Sequence, residues 1–220
     1  MQTRLIHMLK LEAFYKSDLS WLHQASRHMD LTQLASQGVV LLDLLGAQEG
    51  VLRVDWMGFL EKAAPMSGEK SLMNYPLKLA VYWYRDAETQ LHLTLEVPVK
   101  SLCPASKAMA HSGAHSQRAK IIATVRITQA LEFDIQKTLQ ELERCGSAAL
   151  FAVLKREDEK YITEEAYAHP KFVEDMVREA ASVCHQLPGV AGFMVEVENQ
   201  ESIHNHSVYA KIVHAMKAKP

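Results

Sequence analysis

The residues able to do chemistry gather in one stretch, Ser101-Leu-Cys-Pro-Ala-Ser-Lys107, followed by Gly113-Ala-His-Ser-Gln-Arg118. The stretch from 101 to 118 holds Cys103, His111, His115, Lys107 and Arg118. That is more chemistry than a strand connection needs, and loops held by rigid strands are where sites tend to sit. Cys103 and His115 lie twelve residues apart. A thiolate and an imidazole can hold a divalent ion at about 2.0–2.3 Å, but two ligands are too few. A buried cysteine at a strand end with a surface histidine fits the same spacing. Further on, His204 and His206 follow Glu201 in Glu201-Ser-Ile-His-Asn-His206. An imidazole with its ordinary pKa near ~6.5 passes protons both ways, whereas alternating histidines at a hairpin end also make a polar turn. Glu174 falls in the first turn of a predicted helix, where the dipole alone favours a carboxylate. A fixed carboxylate there can also accept a pair of parallel N–H donors. Lys107, Arg118, Lys155 and Arg156 are the cations a polyphosphate needs, Arg118 with bidentate geometry, or else solvated loop charges.

The elements that must carry these residues are read from periodicity. Leu91, Leu93, Leu95, Val97 and Val99 alternate with His92, Thr94, Glu96 and Pro98 before the stretch, and Ile121, Ala123, Val125 and Ile127 alternate with Ile122, Thr124, Arg126 and Thr128 after it. That period of two predicts half-buried strands. Further strands are predicted near 51–59 and over 76–84, the latter turning back through Arg85–Thr89 as an antiparallel hairpin. Met1–Phe14 reads as an amphipathic helix, and a second helix runs from an Asp30 cap to Leu45. In the second half, Asp134 caps a helix that Gly146 stops, Lys155–Thr163 reads as a polar loop, and Pro170 opens a longer helix. A strand through Phe193–Val197 then pairs with Val208–Ile212, with Glu201–His206 at their turn. Strands and packed helices in this order predict an α+β class.

Composition excludes several functions. With 220 residues, 48% hydrophobic and 23% charged, the chain reads as one large or two small globular domains. A net charge of −2 argues against a nucleic-acid binder. No apolar run approaches the ~20 residues that span a bilayer, and no secretory leader pattern is seen. The expectation is a cytoplasmic protein with no membrane partner. Cys103, Cys145 and Cys184 are odd in number and widely spaced, as reduced thiols are. No Walker-type glycine loop, G-x-S-x-G or dinucleotide fingerprint occurs.

Taken together, these segments resemble the type IB GTP cyclohydrolase I family. The stretch around Cys103 and His115 carries the resemblance first. Lys155-Arg-Glu-Asp-Glu159 with Thr163-Glu164, Pro170–Arg178 and Glu201–His206 follow in the family's order, and Lys62–Gly68 is a weaker match. The chain departs at Ala105, Ser116 and Ala119, and begins at or after the family's usual N-terminal strands. The resemblance implies a tunnelling fold: two tandem units of antiparallel strands and paired helices, here 1–100 and 101–220, closing into barrels as a homo-oligomer (dimer or tetramer). It implies a divalent metal (Zn, Mn or Fe) on Cys103, His115 and Glu159. It further implies Glu174 on the guanine, His204 as proton shuttle with Glu201 orienting it or holding the substrate and His206 behind them, and GTP converted to 7,8-dihydroneopterin triphosphate and formate for tetrahydrofolate synthesis. The same residues also admit a non-catalytic relative, or another pterin- or purine-handling member of the fold.

Overall fold

Period-two alternation becomes an antiparallel sheet. Its strands are β1 (Met8–Glu12), β2 (Glu49–Ala63), β3 (Lys70–Tyr84), β4 (Gln90–Leu102), β5 (Ser116–Ile127), β6 (Ala148–Ala149), β7 (Val190–Gln200) and β8 (Ser207–His214). A computed structural model describes residues 8–12, 49–84, 87–129 and 133–216. The strand order is β1-β2-β3-β4-β5-β7-β8, with β6 beside β4. Four helices accompany it among the described residues: α1 (Pro104–Met109), α2 (Ile135–Glu143), α3 (Arg156–Ala168) and α4 (Val173–Gln186).

The core lies on one face of the sheet. Tyr75, Leu77, Leu79 and Val81 of β3 point into it, as do Leu93, Leu95, Val97 and Val99 of β4. Ile121, Ala123 and Val125 of β5 continue the layer, with Val195 and Val197 of β7. The apolar stripes of α2 (Leu139, Leu142) and α4 (Met176, Val177, Ala180, Cys184) close it. Truncating a fully buried side chain such as Leu139 to alanine costs about 2–5 kcal/mol. The opposite face is polar: Glu96 pairs with Lys78 at 2.6 Å and Lys120 at 3.4 Å, and Thr94 meets Thr124 at 2.9 Å. Helices on one face of an antiparallel sheet make this an α+β protein.

Two predicted elements are corrected. Met8–Glu12, read as part of a helix, is a strand paired with Arg53–Met57. Leu9 and Leu11 alternate with Lys10 and Glu12, and an available strand edge overrides a weak helical preference. The rest of that helix and the one predicted for 30–45 lie outside the described residues. Lys155–Thr163, read as a loop, is most of α3. Its first turn holds Glu157, Asp158 and Glu159, which suits a helix N-terminus, and its buried face is Asp158, Ile162 and Ala166 at a spacing of four.

The buried Asp158 is explained by its bonds. It accepts the backbone N–H of Met66 (2.8 Å), Ser67 (2.9 Å) and Lys155 (2.9 Å), and the Ser67 hydroxyl (2.6 Å). Burial works to raise its pKa, but the hydrogen bonds from Ser67, Lys155 and Met66 outweigh it and hold the carboxyl well below the usual range. One carboxylate thus ties the β2–β3 turn, where Gly68 takes φ 69°, to the start of α3. Deeper in, Lys62 donates to Glu143 (2.7 and 2.9 Å) and to the Leu150 carbonyl (2.7 Å), while Tyr75 donates to Glu143 at 2.6 Å. Burial, then the Glu143 charge and hydrogen bond, push the Tyr75 hydroxyl far above its ordinary pKa. The sheet is continuous through residue 100: β4 pairs with β3 over its first half and with β6 at Val99 and Lys100.

Candidate functional site

Three neighbouring strands turn polar at the same end and in the same phase. On β4 the core-facing series Leu95, Val97, Val99 continues as Ser101, then Cys103 just beyond the strand. On β5 the series Ile121, Ala119 continues backward as Gln117 and His115, and on β7 Val195, Val197 continue as Asn199 and Glu201. Burying polar groups is costly unless each finds a partner, so this end of the core serves something other than packing. Ser101 and Asn199 are almost wholly buried, and Asn199 Nδ2 donates to Ser101 Oγ at 3.1 Å. Asn199 Oδ1 has no partner, an orphaned buried acceptor.

Ser106 fixes the loop. Cys103 is the N-cap of the six-residue α1, with the Ser106 N–H 3.5 Å from its sulfur. The Ser106 hydroxyl donates to the Cys103 carbonyl (3.1 Å) and accepts from the His115 N–H (3.2 Å). The Cys103 N–H donates to the His115 carbonyl at 3.1 Å. One hydroxyl therefore locks both ends of the connection, and Gly113 supplies the φ of 77° that turns it. Cys103 is half-buried and free, whereas Cys145 and Cys184 are buried.

His115 is held by Gln117, whose Oε1 lies 2.9 Å from Nδ1. Gln117 Nε2 donates to Glu201 Oε1 at 3.3 Å, and Ser202 Oγ donates to Gln117 Oε1 at 3.5 Å. Glu201 Oε2 is itself 3.8 Å from His115 Nδ1, and both side chains are only about a tenth exposed (10% and 11%). The structure thus brings together Cys103, His115 and Glu201 from the predicted set. Sequence reasoning missed Ser106, Gln117 and Asn199. Their signal was phase: each polar residue sits where the strand alternation called for an apolar one, or caps the loop between.

The other predicted residues stand apart to different degrees. The Lys171 N–H donates to the Leu102 carbonyl at 3.1 Å, so the start of α4, with Glu174 exposed in its first turn, lies beside the Cys103 loop. His204 and His206 are exposed on the β7–β8 turn and stack on each other at 5.1 Å. Lys107 reaches the Tyr167 carbonyl at 2.5 Å and lies over its ring at 4.3 Å. Lys155 pairs with Glu69 at 2.9 Å. Arg118 leaves β5 on the face opposite His115 and Gln117, where it lines a cleft of about 470 Å³ with Glu96, Lys120 and Phe151.

The expected metal triad is not assembled. Among the described residues no three His, Cys, Asp or Glu side chains are grouped to hold an ion. Cys103 and His115 offer suitable sulfur and nitrogen donors, but Glu159 is on an exposed face of α3, 54% accessible and 3.3 Å from Arg156. The residues as arranged do not fit a three-ligand ion.

Fold and site together define a mixed α+β protein whose central sheet ends in a Cys–His–Gln–Glu cluster. Residues 7–210 match the family model described as Type I GTP cyclohydrolase folE2, and the chain belongs to that family. It is similar to GTP cyclohydrolase FolE2 of Dichelobacter nodosus, 44% identical over 174 residues (79% of this chain, 66% of that protein). It is also similar to GTP cyclohydrolase FolE2 of Geotalea uraniireducens, 46% identical over 168 residues (76% and 60%). The matched stretch spans less than two thirds of either relative's length. Among solved structures, a uricase from Arthrobacter globiformis aligns over 100% of this chain and 96% of its own. At 9% identity and a TM-score of 0.42, that likeness carries no conclusion. No helix among the described residues is long and apolar enough to cross a membrane.

Proposed function

We propose that the chain is a GTP cyclohydrolase I, a hydrolase acting on the cyclic amidine of guanine. It converts GTP and water to 7,8-dihydroneopterin triphosphate and formate, the entry to tetrahydrofolate synthesis. The observation that carries the reading is the gathering of Cys103, His115 and Glu201 at the polar end of the core face, in a chain of this family.

In this reading Glu174 accepts the N1–H and exocyclic amine of the guanine from the start of α4. His204 on the turn, with Glu201 orienting it or holding the substrate, handles the protons as water adds at C8 and the ring opens. A second water cleaves the resulting formamide and carbon 8 leaves as formate; the freed amine then condenses with the opened, rearranged ribose, expelling one water to close the pterin ring, so one water is consumed overall. Arg118, Lys107, Lys155 and Arg156 are the candidate triphosphate contacts, the last three after exchanging their present partners. A divalent ion, Zn, Mn or Fe, belongs to the proposal with Cys103 and His115 as donors. Glu159 would join them only after a rearrangement, so no step is routed through the ion. The fold is proposed to be a tandem of tunnelling-fold units, 1–100 and 101–220, sharing one sheet and closing as a cytoplasmic homo-oligomer. Formate assay with GTP as substrate, beside fluorescence of the oxidised pterin, tests the reading. A non-catalytic purine-binding relative would bind GTP and release no formate.

A further inference from the structure

Among the described residues, Gln117 hydrogen-bonds both His115 and Glu201, whose own nearest approach is the longer 3.8 Å between Glu201 Oε2 and His115 Nδ1. Its amide has two ends of opposite character, an oxygen that only accepts and a nitrogen that only donates. The Glu201 carboxylate, 3.3 Å away, can only accept, so it fixes the nitrogen end toward itself. The oxygen end is then turned to His115 Nδ1 at 2.9 Å, and the Ser202 hydroxyl donates to that same oxygen. An accepting oxygen at hydrogen-bond distance requires the proton on Nδ1. Nε2 of the neutral ring is left with its lone pair free.

We infer that Gln117 is a positioning residue: held by Glu201, its amide fixes His115 in the Nδ1–H tautomer and leaves the Nε2 lone pair as the one His115 offers to the site. This rests on the proposed reaction for its kinetic consequence but not for the tautomer itself. Gln117 is 8% exposed and lies on the core-facing side of β5, so its amide cannot turn out to solvent without leaving the layer. A purely structural glutamine would have no need of a donor and an acceptor matched to these two partners. Nor would it be bracketed by Ser202, whose hydroxyl reinforces the same orientation. The arrangement is a three-group relay, carboxylate to amide to imidazole, in which the amide turns the negative charge of Glu201 into a directed acceptor for Nδ1–H.

The test is two-bond proton–nitrogen correlation of the histidine rings in the full chain, dialysed against EDTA and held above about pH 8, where an ordinary imidazole is neutral. His115 is assigned by its loss in His115→Gln. The parent is expected to show Nδ1–H with an unprotonated Nε2. Gln117→Glu gives up the donor to Glu201 but keeps an acceptor at Nδ1 and should keep that tautomer; Gln117→Leu removes both and should give a mixture or the Nε2–H form. In turnover, Gln117→Leu should lower kcat roughly 10-fold or more, with KM for GTP changed little. A parent His115 protonated on Nε2, or a Gln117→Leu variant with an unchanged tautomer, overturns the inference. If Gln117→Leu does not fold, the parent and Gln117→Glu spectra still decide it. If the parent releases no formate from GTP, the proposed reaction fails while the tautomer result stands separately.

Discussion

At the scale of single residues, the three cysteines differ in kind. Burial pushes the Cys145 thiol up to about 11 and Cys184 up to about 12, so neither offers thiolate near neutrality. Cys103 is half-buried on the loop. We expect one of the three thiols to react with a disulfide reagent in the native protein and three after denaturation. More than one fast thiol would contradict this assignment. Glu174 carries a second prediction. Replacing it with glutamine turns one acceptor oxygen into a donor facing the guanine amine, and should weaken GTP binding by about 1.5–3 kcal/mol, the scale of a charged hydrogen bond. Unchanged affinity by equilibrium binding would reduce Glu174 to a helix-end carboxylate. The reactive residue types were legible in the sequence, because Cys103, His115 and Glu201 announce their chemistry by identity. Ser106, Gln117 and Asn199 were not, because serine and amide side chains occur everywhere and gain meaning only from the partners that folding brings. Nor could one sequence reveal that Glu159 faces solvent, although the period of two through Ala119 and Ile121 already sets Arg118 on the face opposite Gln117.

Among elements, the junction of the β2–β3 turn with α3 depends on Asp158. A carboxyl held below its unfolded pKa contributes stability that is present above about pH 4 and is lost as pH falls through the folded value. Asp158→Asn should therefore lower the melting temperature at neutral pH, with the gap to the parent closing as the pH is taken well below 4. A gap that persists or widens in acid would show that the hydrogen-bonded charge is not its source. The strands around this junction were legible because alternation over Leu77–Trp83 and Leu91–Val99 is long and regular. The helix α3 was not, because its only apolar buried positions are Ile162 and Ala166, and the third is the charged Asp158. A helix that docks by a carboxylate gives no apolar period to read. β1 escaped for the opposite reason: five residues carry too little pattern to tell a strand from a helix turn.

For the whole molecule, β8 ends the strand order among the described residues, and its residues are half-buried or exposed, Tyr209 and Val213 among the large exposed apolar side chains. Edge strands invite pairing with another chain. In line with the proposed barrel-forming fold, sedimentation equilibrium should give a dimer or tetramer, and a stable monomer with full activity would contradict it. In the proposed function, the guanine ring of GTP opens at the cluster around Cys103 and His115. The most direct measurement is formate released from GTP by the parent and by Cys103→Ser, each with and without added Zn, Mn or Fe. The parent should release formate in step with a fluorescent pterin after oxidation. Cys103→Ser, folded by circular dichroism, should be slower by about 100-fold or more. A parent that binds GTP yet yields no formate with any of these ions, or a Cys103→Ser variant that turns over as fast as the parent, would contradict the account.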